Sequence, residues 1–535
     1  MKLAVDLTRC QGYAQCAFLA PEAFVMHGDE ALLHDPDPDE ALRLKVLRAA
    51  AACPVQAIIV DRTDGRAFRE AAARRSGRSG PGAPDVGRIV IVGASLAGLR
   101  AAWTLRREGF TGSVTLIGDE PYEPYDRPPL SKQVLAGSIP PDHTALPRVG
   151  EVDAEWRLGV AATGLDLDRQ QVHLADGDKV EFDRVLIATG VRARPWPNAA
   201  EAALDGVFVL RNRDDARGLA RGLAAGPRRV LVIGAGFTGS EVASACRELG
   251  LPVTVAERGA APLVGALGGV IGSVMADRQR AHGVDLRCGV TVTALEGDAD
   301  GRVCRAHLSD GGTLEVDVAV VALGGIRNVE WLHDSGLAAG VWGVACDAGC
   351  RALDVNGLVT DHVFVAGDVA RFPHPVYDYQ LVALEHWANA LGQSEIAAHN
   401  MIAPQSDRWP HLALPEFWST QFGVEIKSVG VPTYADQVAI VQGSVAEGRF
   451  VAVYGYRGRI TAAVGFNQAK WLEFYAALIE NAAPFPPAFD HVDRPADVRP
   501  VPAEVPVRPT FEATVVVTGH QPGDRRARLV RRPHL

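Results

Sequence analysis

RRVLVIGAGFTG, residues 228–239, and its earlier echo RIVIVGASLAG, residues 88–98, decide how this chain is read. Each is an apolar run suited to a buried strand, then a glycine turn, then a helix-like continuation. In such a unit the first glycine permits a tight turn, the second lets backbone approach a pyrophosphate, and the third lets helix and strand pack closely. The later stretch has the full set, Gly234, Gly236 and Gly239, with Phe237 and Thr238 between and Ser240 and Glu241 following. The earlier one has Gly93 and Gly98, with Leu96 and Ala97 between them and Ser95 at the middle position. Serine is small and can donate a hydrogen bond, so the departure weakens the pattern without breaking it. Two copies about 140 residues apart form an internal repeat and predict two Rossmann-like dinucleotide-binding domains of an α/β protein.

The strands that follow carry the expected carboxylates. SVTLIGDE ends in Glu120, placed to accept hydrogen bonds from a ribose, and PVTVAER ends in Glu257. A carboxylate at Glu257 favours a free 2′-hydroxyl and so NAD over NADP, although Arg258 beside it could hold a 2′-phosphate. Two more apolar strands end in small residues: FDRVLIATG at Thr189 and Gly190, and VFVAGDVA at Gly367 and Asp368. Each alone reads equally well as an ordinary core strand.

With 535 residues, the chain is too long for one hydrophobic core. At 47% hydrophobic and 22% charged it has the make-up of a soluble globular protein. A net charge of −10 argues against a nucleic-acid binder, and no apolar run is long enough to predict a membrane span. The N-terminus shows no long apolar core of a secretory signal, and eight cysteines are too few for a disulfide scaffold, which predicts a reducing cytoplasm. The expected divisions are 1–62, an α+β unit; 63–87, a Gly/Ser/Pro/Arg-rich linker; 88–200 and 330–404, two parts of one nucleotide domain; 201–329, a second nucleotide domain inserted between them; 405–492, an α+β domain; and 493–535, a locally basic tail without an assigned role.

CQGYAQC, from Cys10 to Cys16, has a different chemistry. Bacterial cluster ferredoxins use C-x2-C-x2-C with a remote Cys-Pro, all thiolates on iron. Here Tyr13 replaces the middle cysteine, and the remote pair is Cys53-Pro54. Three thiolates hold a cubane lacking one corner iron, and a phenol does not readily replace a thiolate. Cys10, Cys16 and Cys53 therefore resemble the ligands of single-cluster [3Fe-4S] ferredoxins; a [4Fe-4S] cluster with Tyr13, water or another ligand on its fourth iron stays open. Zinc would want four ligands, and the motif offers no nearby fourth.

Four segments carry a closer resemblance. EPYDRPPLSK (123–132), ALEHWANALGQ (383–393), GGIRNVEWL (324–332) and PEFWSTQFG (415–423) look like those of ferredoxin reductases serving bacterial oxygenases, the putidaredoxin-reductase and rubredoxin-reductase type. The likeness spans roughly residues 88–490. It implies an FAD domain, an inserted NAD domain and an α+β C-terminal domain. By that likeness Lys132 lies against the flavin's reactive edge and pairs with Glu241, and Arg127, Ala162 and Arg192 line the FAD site. Trp387 sits where the nicotinamide docks, and Gly324 joins the nucleotide-binding set. A cation beside the flavin would stabilise the anionic reduced ring, which agrees with Lys132. Without the resemblance, Lys132 and Glu241 would read as solvated residues and Trp387 as a core aromatic. A redox cysteine pair of the disulfide-reductase kind is missing at both expected places: Cys246 stands alone, and Cys346 and Cys350 read as bystanders.

The whole predicts a ferredoxin fused to its own reductase. NADH gives a hydride to FAD, FAD passes single electrons to the cluster, and the cluster delivers them to an oxygenase such as a cytochrome P-450. Fusion raises the effective concentration of the ferredoxin at the reductase. One alternative sends the electrons to a separate ferredoxin, with residues 1–62 as a docking or sensing module; another is a non-enzymatic NAD(H) sensor resembling the apoptosis-inducing-factor relatives of this fold. The sequence sets neither the oligomeric state nor the terminal acceptor's identity.

Overall fold

The computed structural model describes residues 1, 3–5, 15–27, 31–35, 38–52, 58–60, 86–146, 152–488, 500–505, 513–518 and 526–531. Cys10, Tyr13 and Cys53 lie outside these residues, as does all but the end of the expected linker.

The first glycine stretch opens a six-stranded sheet in the order 351–353, 359–365, 184–187, 88–92, 113–118, 155–158. Five strands run parallel, and Arg351–Leu353 closes one edge antiparallel. Both faces are covered, which is why the strands read as continuous apolar runs. Ile89, Ile91 and Leu186 face the helices Leu96–Arg107 and Trp387–Ile402, while Val90, Val92 and Ile187 face a second core with Trp331 and Phe372.

The second glycine stretch opens a five-stranded parallel sheet in the order 207–208, 318–321, 230–233, 253–257, 285–288. Each sheet has a three-stranded antiparallel meander beside it, over 162–181 and 292–315. The repeat thus extends through a whole unit rather than the glycine turn alone. The second unit is inserted in the first: the chain leaves through Val191–Ala193 and returns through Gly325–Arg327, and these two ribbons pair antiparallel. Thr189 and Asn328 lock the crossing with a reciprocal pair of 2.8 Å hydrogen bonds.

A third sheet is antiparallel, in the order 416–421, 424–430, 459–466, 449–456, 437–444, 501–502, with the helix Leu472–Glu480 packed on it through Leu472, Tyr475 and Ile479. At the N-terminus Leu3–Val5 pairs with Ile58–Val60, and a small core gathers Leu3, Cys16, Phe24, Val46 and Ile58. The helix Arg43–Ala52 and the hairpin of Phe24–His27 with Ala31–His34 fill out the expected α+β unit. In the tail, ATVVVT (Ala513–Thr518) pairs antiparallel with Arg526–Arg531. No helix among the described residues is long and apolar enough to cross a membrane.

Candidate functional site

Backbone sterics build the first cradle. Gly93 has φ +120°, and a Cβ there would come within 2.1 Å of the Ala188 carbonyl oxygen. A Cβ on Gly98 would meet the Gly93 carbonyl oxygen at 2.0 Å. Both positions therefore require glycine. Ser95 sits at the N-cap of helix Leu96–Arg107 in extended backbone, and its side chain makes no capping bond. At the equivalent Gly236, a Cβ would have nothing within 4 Å, so the middle position tolerates a serine.

Two cavities of about 300 and 220 Å³ adjoin this cradle, and Ser95, Arg127 and Thr189 line both. The larger also takes Leu96, Ala97, Gly190, Gly367 and Asp368; the smaller takes Gly93, Glu120 and Arg192. Glu120 receives Arg127 at 2.6 Å and the Tyr125 hydroxyl, and Arg127 in turn donates to Tyr125 Oη at 2.9 Å and the Arg211 carbonyl at 3.0 Å. Asp368 pairs with Arg211 at 2.7 Å, and Arg192 with Glu330 at 2.6 Å. A long, polar-ended cleft under a glycine turn fits a dinucleotide. Ala162 departs from expectation: it begins the meander strand Ala162–Asp166, packs against the core behind the sheet, and lines neither cavity.

In the second cradle a Cβ on Gly239 would fall 2.0 Å from the Gly234 carbonyl oxygen. Phe237 begins the helix Phe237–Glu248 and packs edge-on to Phe417. Glu257 accepts from the Ala235 N–H at 2.7 Å and the Gly259 N–H at 2.5 Å, so its carboxylate lies beside the glycine turn, while Arg258 is exposed. Gly324 has φ +84° with open space around it, just beyond the strand Val318–Val321.

The two units meet in the larger cavity. Thr238 and Glu241, from the first turn of the second unit's helix, line it together with Lys132 and Trp387. Lys132 Nζ lies 3.1 Å from Glu241 Oε2, with side chains 12% and 9% exposed. Ser131 Oγ donates to Glu241 Oε2 at 2.5 Å, and Ser419 Oγ to Oε1 at 2.6 Å. The Trp387 indole donates to Asp126 Oδ1 at 2.9 Å, and the Trp418 ring meets Trp387 edge-on at 5.8 Å. Burial pulls the pKa of His386, another lining residue, down to about 4 against the opposing pull of Asp368, which leaves it neutral at pH 7. Asp126, Ser131, His386, Trp418 and Ser419 were not singled out from sequence, although all lie within the four quoted segments.

Cys246, Cys346 and Cys350 offer no thiolate. Burial raises the Cys246 thiol to about 12 and moves Cys346 and Cys350 far up as well. A protonated, buried thiol is not a nucleophile at neutral pH. Cys16 lies buried in the short helix Gln15–Leu19.

Two dinucleotide cradles that meet at one cavity, joined at a buried lysine–glutamate pair and with no cysteine among that cavity's lining residues, define an oxidoreductase of the two-nucleotide kind. Residues 87–394 match the pyridine nucleotide-disulphide oxidoreductase family, and the chain belongs to it. Residues 416–501 match the reductase C-terminal family, and residues 5–60 match the 4Fe-4S single cluster domain of ferredoxin I. The chain is 35% identical over 366 residues to rhodocoxin reductase of Rhodococcus erythropolis, covering 68% of this chain and 82% of that protein. It is 32% identical over 407 residues to the ferredoxin reductase component of chlorobenzene dioxygenase from Cupriavidus sp. (strain PS12), covering 75% of this chain and 94% of the relative. Among solved structures it is similar to putidaredoxin reductase in its covalent complex with putidaredoxin, at TM-score 0.69 and 30% identity over 74% of this chain and 94% of that one. The chain is an electron-transfer oxidoreductase, an FAD-dependent NAD(P)H:ferredoxin reductase carrying a fused single-cluster ferredoxin segment.

Proposed function

We propose that NADH is the reductant, that Cys10, Cys16 and Cys53 hold a [3Fe-4S] cluster, and that the cluster delivers electrons to an oxygenase such as a cytochrome P-450. The observation that carries this reading is the Lys132–Glu241 pair beside Trp387 in the shared cavity. FAD bound there supplies the exchange between two-electron nicotinamide chemistry and one-electron iron–sulfur chemistry. Ser95 and the amides of the turn after Gly93 hold its pyrophosphate, and Glu120 and Arg127 hold the adenosine end. The Lys132 ammonium stabilises negative charge on the reduced ring, and Glu241 fixes that ammonium in place. The Trp387 ring, steadied by Asp126, guards the face on which a nicotinamide docks. Glu257 favours the free 2′-hydroxyl of NADH. Tyr13, at the position of the missing cysteine, supports three irons rather than four. Residues 63–87 act as a tether, which keeps the cluster domain at high local concentration.

The test is a pair of substitutions in the full chain, Cys10→Ser and Cys53→Ser. Flavin bleaching by NADH should persist, and reduction of an added cytochrome should be lost. Cytochrome reduction at the wild-type rate in both variants would show that electrons leave by another route.

A further inference from the structure

The strand Glu416–Gln421 belongs to the third sheet, yet three successive side chains of it reach the junction of the two nucleotide units. The Phe417 ring meets Phe237 at 5.0 Å and His386 at 5.2 Å. Trp418 meets Trp387, and Ser419 donates to Glu241. Ser419 is 1% exposed and is itself fixed, accepting from Gln421 Nε2 at 3.0 Å.

The two oxygens of Glu241 are held unequally. Oε2 receives both the Ser131 hydroxyl and the Lys132 ammonium, whereas Oε1 has Ser419 as its single donor among the described residues. A hydroxyl-to-carboxylate bond of 2.6 Å is of the charge-assisted kind, and a buried carboxylate oxygen stripped of its donor is costly to leave in place. Without Ser419 the carboxylate relieves that cost by rotating, and the Lys132 ammonium paired to it moves as well.

We infer that Ser419 is a positioning residue for the redox site: it fixes the Glu241 carboxylate and, through it, the Lys132 ammonium, so that the C-terminal domain completes the junction between nicotinamide and flavin. The inference rests on the role assigned above to Lys132. It gives the third domain a task in the chemistry in addition to covering the site.

The test uses the full-length, FAD-loaded protein as wild type and as Ser419→Ala, Ser419→Thr, Ser419→Cys and Ser131→Ala. It measures stopped-flow flavin bleaching by NADH, the flavin midpoint potential and Tm. Ser419→Ala should lower the saturating rate about tenfold with KM within about twofold, because ground-state binding is retained while positioning is lost. Its midpoint potential should shift downward, since an ammonium displaced from its place stabilises the anionic reduced ring less. Ser419→Thr should restore both, and Ser419→Cys, a weaker donor of similar size, should fall between. Ser131→Ala should lose less, because Lys132 still holds Oε2. Wild-type rate and potential in Ser419→Ala, or a larger loss in Ser131→Ala, would overturn the inference. A lower Tm with rate and potential intact would reduce Ser419 to a packing residue and overturn it equally. Failure of NADH to bleach the wild-type flavin would instead overturn the reading of the site itself.

Discussion

The two glycine cradles share a topology and differ in who holds their carboxylates. Glu120, after the first, is bonded to the side chains of Tyr125 and Arg127 in the loop that follows it, Arg127 reaches on to the Arg211 carbonyl of the inserted unit, and the cavity beside it takes its walls from several separate segments. Glu257, after the second, is bonded to backbone N–H groups of its own turn and of Gly259. One unit has recruited the rest of the molecule to enclose its ligand, and the other presents a self-contained docking turn. That is the division expected between a resident cofactor and a nucleotide that comes and goes. The middle position of the turn carries the same contrast. Ser95 lines both cavities, while a side chain at Gly236 would point into open space.

The contrast can be broken most forcefully at Gly93. Gly93→Ala puts a Cβ 2.1 Å from a main-chain oxygen at φ +120°, and a backbone contact cannot give way as a side chain can. Flavin per protein after purification, read by absorbance, should fall more than about tenfold; a fully loaded variant would show that this turn does not shape the FAD site. At the second cradle, Glu257→Ala should raise the ratio of kcat/KM for NADPH over NADH by about tenfold, a change of roughly 1.4 kcal/mol in discrimination. An unmoved ratio would leave nucleotide choice to other residues. Removing the Ser95 hydroxyl sharpens the comparison further: Ser95→Gly should loosen FAD about tenfold, the lower end for a hydrogen bond to a charged group. Tight retention would mean that the amides alone carry the pyrophosphate.

The smallest expected effect lies behind the first unit, where His399 stacks on Trp409 at 3.6 Å and meets Glu108 at 2.8 Å and the Asp407 carbonyl at 3.0 Å. Burial opposes its protonation, but Glu108 and the Asp407 carbonyl outweigh burial and leave the pKa above the ordinary histidine value. A folded-state pKa raised in this way gives stability that is complete below the unfolded pKa, about 6.5, and is lost as pH rises through the folded value. The Tm deficit of His399→Gln should therefore be larger at about pH 5.5 than at about pH 8.5, by about 2 °C. A deficit that does not change with pH would assign His399 to stacking alone.

Much of this was legible in the sequence because glycine sterics leave a plain mark: Gly93, Gly98, Gly234 and Gly239 are where the backbone closes on itself. The carboxylates Glu120 and Glu257 followed from their place at strand ends. Lys132, Glu241 and Trp387 became candidates through the quoted segments, since a lysine after a proline-rich loop or a tryptophan at a helix start has no individual signature. Ser131 and Ser419 were beyond reach for a similar reason. Their hydroxyls matter through a carboxylate more than a hundred residues away, and no local pattern records that meeting. Ala162 shows the converse, because a small residue in a meander strand carries no mark of which face it will serve. The partner strand Arg526–Arg531 was hidden because its three arginines, with one more basic residue on either side, read as a basic tail.

The central claim is that electrons enter from NADH at the shared cavity and reach the fused cluster. An anaerobic titration of the intact protein with NADH, followed by flavin absorbance and electron paramagnetic resonance together, tests it most directly. An oxidised three-iron cluster is paramagnetic, so a signal should be present at the start and fade in step with the NADH consumed. A flavin that bleaches while the starting signal persists, or no starting signal at all, would contradict the account.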